Sequence, residues 1–228
     1  MGLLDSLREV LGVRAEADAA RDADPEDLWG MSTAYLTMEA ELDYRPAGVA
    51  ALCFGDVDST DFAEAVDEVE RILHAGEAET GTAFRRHEDD HGYHWVVLED
   101  PDPEDLVTSV HFAADTFVSR GYGSRLLAAV FGFERRGASA ASASGERAGS
   151  EGRATRESRG ASDDPNAYWV YSFRRGAYYP FVPTGPHERD ERREFKLRAV
   201  LDGELAVEDD EAYWYPLWPD APGGHPWE

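Results

Sequence analysis

YHWVVLEDPDPEDLVTSVHFAADTFVSRGYGSRLLAAVFGF, residues 93–133, is the stretch on which the fold turns. Its first seven residues are dominated by aromatic and β-branched side chains and read as a strand. Asp102-Pro103-Glu104-Asp105-Leu106 then starts a helix, with Asp102 as the cap and Pro103 in the first turn. Leu106, Val107, Val110, Ala114, Phe117 and Val118 recur at helical spacing and define one apolar face. Gly121 and Gly123 end the helix, and residues 126–133 form the next strand.

Working outward, upstream residues 82–87 make a second strand, joined to 93–99 by a polar turn. Phe62, Val66, Val69 and Leu73 mark an amphipathic helix before it, and residues 49–54 another strand. Residues 33–42 support two readings. Ala34, Leu36, Met38, Ala40 and Leu42 alternate as in a strand, whereas Tyr35, Met38 and Leu42 fit a helix; the strand is preferred. Asp24-Pro25-Glu26-Asp27-Leu28 repeats the helix-start signature, and Gly30 is expected to interrupt that helix.

Downstream, residues 168–173 and 177–182 flank Arg174-Arg175-Gly176 and read as a hairpin. A helix follows at about 190–202, with Leu197, Val200 and Leu201 inward. Strands and helices mix without regular alternation, and hairpins dominate. The expected fold is therefore α+β, a largely antiparallel mixed sheet of hairpins with helices packed on one face. Residues 137–165 hold no aromatic and no Leu, Ile, Val or Met. Such a segment buries too little to offset the entropy of ordering, and a long disordered insertion is expected there. The chain divides into an N-terminal helix and tether, 1–24, and a single domain, 25–228.

The 228 residues carry 47 acidic and 22 basic side chains, a net charge of −25, and Lys196 is the only lysine. Nucleic acid and anionic lipid both need cationic patches to release counterions, so neither is an expected partner. An acidic, lysine-poor surface suits multimolar salt, where self-repulsion is screened within about 3 Å. One cysteine, Cys53, excludes an internal disulfide framework and reads as buried. Without a long apolar run or a signal-peptide pattern, the chain is expected to be cytoplasmic.

Leu3, Leu4, Leu7, Val10 and Leu11 form a stripe on a short helix closed by Gly12, and an Ala- and Asp-rich tether follows. A helix of about three turns is unstable alone, so the stripe is expected to dock, preferably on a partner. Met1-Gly2 through Ser6 fits a myristoylation pattern, which is set aside as too short to be specific. His87-Glu88-Asp89-Asp90-His91 matches the H-E-x-x-H zinc motif, but that chemistry needs a helix and this segment reads as a turn. With His94 the stretch still offers three histidines to a metal-dependent hydrolase, the alternative to a non-catalytic protein. In the hairpin, Arg174, Arg175, Tyr178, Tyr179 and Phe181 are the candidates for a partner surface, with other aromatics turned to the core. No nucleotide or dinucleotide fingerprint is present, so no cofactor and no enzyme activity are expected.

MGLLDSL, TAYLTMEAELDYRPAGVAALCF, the segment from Gly92 to Phe133, YWVYSFRRGAYYPFVPTG and YWYPLWP together resemble PspAB, the PspA-associated protein of haloarchaea and actinobacteria. The resemblance covers nearly the whole chain except 137–165. It implies an accessory role beside PspA, the membrane-binding coiled-coil protein of the phage-shock envelope-stress response. It further implies an association with an HtpX-like membrane protease, and it supplies no catalytic residues. A chaperone-like module that shields an apolar client segment is a third reading.

Overall fold

The computed structural model describes residues 19, 21–55, 60–135, 166–185, 187–219 and 224–227. The expected helix at 2–12 and the insertion at 137–165 lie outside them. The described elements are α1 (Gly30–Leu42), β1 (Tyr44–Phe54), α2 (Thr60–Thr80), β2 (Ala83–Glu88), β3 (His94–Glu99) and α3 (Pro103–Phe117). They continue with β4 (Leu126–Arg135), β5 (Ala167–Ser172), β6 (Ala177–Phe181), β7 (Pro183–Gly185), β8 (Glu188–Arg189) and α4 (Glu191–Leu201).

Six strands form one sheet in the order β2-β3-β1-β4-β5-β6, every neighbouring pair antiparallel. This is the α+β fold of hairpins and helices. β4 and β5 pair directly, so the insertion falls at a hairpin connection, where added length costs little closure entropy.

Side chains alternate along each strand, and the two sheet faces bury different sets. Ala50, Leu52, Phe54, Val96, Leu98, Phe131, Trp169 and Tyr171 meet the helices, joined by Met38, Val69, Phe117 and Leu197. Val49, Ala51, Cys53, Trp95, Val97, Val130, Tyr168 and Phe181 form the second face, covered by Trp214 and Trp227 with Leu217 and Trp218 against them. Helices occupy one face, and an irregular aromatic C-terminal segment occupies the other. Each fully buried Phe or Leu here contributes roughly 1.5–3 kcal/mol.

α3 starts as its sequence requires. The Asp102 carboxylate accepts from the N–H groups of Glu104 and Asp105, at 2.9 and 3.4 Å. Leu106, Val107, Val110, Ala114 and Phe117 are fully buried, whereas Val118 is 38% exposed and leaves the apolar face. Val118 opens a π-type turn through Tyr122, with Gly121 at φ 87°.

Residues 33–42 are helical, not extended. Met31, Ala34, Tyr35, Met38 and Leu42 are buried at helical spacing, and Leu36, on which the alternation rested, is 68% exposed. Ala, Leu, Met and Glu also favour a helix here. Gly30 does not interrupt the chain: Pro25–Trp29 is a 3-10 turn that passes through Gly30 (φ −55°, ψ −28°) into α1. A Cβ at Gly30 would sit 3.1 Å from the Leu205 side chain, so the glycine permits close packing.

Candidate interaction surface

The β5–β6 hairpin carries the residues expected to meet a partner. Tyr178, Tyr179 and Phe181 are buried, at 1%, 3% and 0% exposure, so they face the chain's own interior and not solvent. Both sides of β6 are covered, one by the helix layer and the other by the C-terminal segment, which leaves no outward aromatic face. The Tyr179 hydroxyl donates to the carbonyl of Tyr215 at 2.9 Å. Burial pushes the Tyr178 and Tyr179 hydroxyls well above their ordinary pKa.

Arg175 is internal too. Its Nε donates to Glu208 Oε2 at 2.6 Å, both side chains are less than a tenth exposed, and its guanidinium lies 3.9 Å from the centre of the Tyr213 ring. The Glu208 N–H donates to the Tyr178 carbonyl at 2.8 Å, and the Tyr178 N–H donates to the Ala206 carbonyl at 2.7 Å. Residues 206–208 therefore close the free edge of β6, and the ion pair clips that closure to the hairpin turn. Arg174 remains half-buried and donates from Nη2 to the Ser124 carbonyl at 2.8 Å.

The chain enters the domain beside this hairpin. The Tyr171 hydroxyl donates to Asp27 Oδ2 at 2.6 Å, the Tyr178 hydroxyl donates to the Asp27 carbonyl at 3.2 Å, and Arg21 pairs with Asp27. Burial first, and then the Asp27 hydrogen bond, raise the Tyr171 pKa. The Asp22 carbonyl stands 2.9 Å from where a Cβ would be on Gly176. The segment read as a tether through residue 24 thus lies on the domain from Arg21 onward.

The three histidines are not brought together. In the β2–β3 register Glu88 faces His94 and His87 faces Trp95, which puts His87 and His94 on opposite sides of the sheet. His91 lies in the turn, which Asp89 organises by accepting from the N–H groups of His91 and Tyr93 and from Trp95 Nε1, each at 2.9 Å. Among the described residues no group of three His, Cys, Asp or Glu is placed to hold a metal ion.

Two further polar centres escaped the sequence reading. Glu194 is fully buried on α4 and accepts from the Val182 N–H and from Arg189 Nε, both at 2.8 Å. Burial raises its pKa, opposed by those two donors. Asp100 is buried and accepts from Thr82 Oγ1 at 2.5 Å and from the Asp102 N–H at 2.8 Å, tying β2 to the β3–α3 junction. A buried acid has no periodicity of its own, so neither centre could be read from spacing.

Solvent instead meets the outer helix faces. Trp29, Leu36 and Phe195 are 39%, 68% and 44% exposed. Arg192, Lys196 and Ala199 are also exposed, on the same side of α4 as Phe195. The sequence reading of α4 used its inward Leu197, Val200 and Leu201 alone. The signal it passed over was the position of the single lysine within an i, i+3, i+4, i+7 set.

A family model described as PspA associated protein B matches residues 1–227. The chain belongs to the PspAB family. The match spans the described fold and the segments outside it, so membership applies to the chain as a whole. It carries an accessory role with PspA. No curated protein and no solved structure matches the chain. No described helix is long and apolar enough to cross a membrane.

Proposed function

We propose that this PspAB member is a non-enzymatic adaptor of the PspA-type envelope-stress response and acts through protein–protein contacts. The observation that carries the reading is the family match over residues 1–227. One feature supports the mode of action. Exposed apolar residues lie on helix faces, at Leu36 and Phe195. Large apolar and aromatic residues on such faces suit contact with another protein.

On this reading the protein is cytoplasmic and reaches the membrane only through its partner. The N-terminal stripe of Leu3, Leu4, Leu7, Val10 and Leu11 serves as a second contact. The test is co-purification from cells at natural abundance, in molar KCl, followed by identification of what is retained. Recovery of PspA supports the reading. Recovery of an HtpX-like protease without PspA would transfer the adaptor role to that partner. Recovery of many unrelated clients would favour the chaperone-like module instead.

A further inference from the structure

The segment 188–198 gathers Arg189, Arg192, Arg193, Lys196 and Arg198 in a chain whose net charge is −25. Three of these are neutralised within the fold, Arg189 by Glu194, Arg193 by Asp190 and Arg198 by Asp209. The side chains of Arg192 and Lys196 are exposed and have neither an ion pair nor a hydrogen bond among the described residues. They stand one helical turn apart on the outer side of α4, with Phe195 beside them at 44% exposure and Ala199 completing the stripe. Opposite them on the helix, Glu194, Leu197 and Leu201 are buried, so α4 packs on the domain through that side and presents this stripe outward.

Unneutralised cations are out of keeping with so acidic a surface, and an exposed aromatic between them gives the patch an apolar centre. Arg and aromatic residues are enriched at the centres of protein interfaces. We propose that the Arg192–Phe195–Lys196–Ala199 face of α4 is a docking site for an acidic amphipathic helix of a protein partner. The inference rests on the adaptor reading above and specifies the surface it uses. The shape argues for a helix, because carboxylates at i and i+4 repeat at the spacing of Arg192 and Lys196, about 6 Å. It also argues against a flat anionic surface. A membrane plane would press against exposed Glu188, Glu191 and Asp202 as well as the cations, and would be repelled.

Lys196 makes the proposal testable at one atom. Zero-length carbodiimide coupling joins an amine to a carboxylate, and Lys196 Nζ is the only side-chain amine in the chain. Complexes of the full chain with purified PspA would be formed with the wild type, Lys196→Arg and Arg192→Glu/Lys196→Glu. The expected result is a Lys196 cross-link to an Asp or Glu of PspA in the wild type. Lys196→Arg should keep the affinity and lose the Lys196 cross-link, whereas couplings from the chain's own carboxylates to PspA amines remain. The double reversal should melt like the wild type and bind more weakly by about tenfold or more. A double reversal within about twofold of wild-type affinity, or cross-links only through the N-terminal amine, would overturn the face and leave the adaptor reading standing. A wild type that does not retain PspA would overturn both. Binding to phosphatidylglycerol–phosphatidylcholine vesicles that the double reversal abolishes, with PspA binding intact, would assign the face to lipid and overturn the proposal.

Discussion

Glu208→Ala should be among the most destabilising single changes at the closed edge of the sheet. Glu208 and Arg175 are both less than a tenth exposed and meet at 2.6 Å. Removing one partner of such a pair leaves the other charge buried without compensation, at a cost of about 3–5 kcal/mol. Glu208 Oε1 also accepts the Asp210 N–H at 3.0 Å, a bond worth roughly 1 kcal/mol. Against this, the Tyr213 ring stays 3.9 Å from the Arg175 guanidinium and offsets up to about 2 kcal/mol. The net loss is therefore about 2–6 kcal/mol. For a chain of this size each kcal/mol lowers the midpoint by roughly 2–4 °C, giving a fall of about 4–24 °C. The assay is thermal unfolding followed by circular dichroism in molar KCl, on the wild type, Glu208→Ala, Arg175→Met and Arg175→Met/Glu208→Met. The double variant replaces the pair by apolar side chains of comparable length and should recover to within about 1 kcal/mol of wild type. A Glu208→Ala loss below about 1 kcal/mol would show the pair to be hydrated, and the clip would then not hold the C-terminal segment. A double variant as unstable as the sum of the single changes would refute the buried-charge account in a different way, by removing the coupling between them.

Three other outcomes follow from the same geometry. Gly176→Ala should cost about 1–3 kcal/mol, because Gly176 has φ 61° and its Cβ would stand 2.9 Å from the Asp22 carbonyl; an unchanged denaturation midpoint would exclude that contact. Glu194 has a folded pKa raised above its unfolded value, so its contribution is fullest below the ordinary carboxylate range and is lost as pH rises through the folded value. The stability of the wild type minus that of Glu194→Gln should accordingly be larger at pH 4 than at pH 7, and the reverse order in paired urea titrations would contradict the burial argument. The net charge of −25 should make the melting midpoint rise from low to multimolar KCl, and a flat profile would remove the reading of the acidic surface as a salt adaptation.

What the sequence determined by itself is everything written in local pattern. α3 was legible because the cap, the proline and the apolar repeat lie within a few residues of one another, and the same holds for β3, β4 and the β5–β6 hairpin. Family membership was legible too, since it depends on the string of residues and not on their arrangement. Tertiary structure decided the rest, wherever two readings satisfied the local pattern equally. Residues 33–42 could alternate or wind, and the helix was settled by Met31, Ala34, Tyr35, Met38 and Leu42 entering one core while Leu36 faced solvent. The aromatic hairpin could expose one side or bury both. It buries both because Trp214 and Trp227, more than 30 residues downstream of β6, return to cover the second face. No window around Tyr178 contains that information, for burial is a property of what comes back to pack and not of the residue itself. For the same reason the exposed cations of α4 became visible only once Arg189, Arg193 and Arg198 had found acidic partners and Arg192 and Lys196 had not.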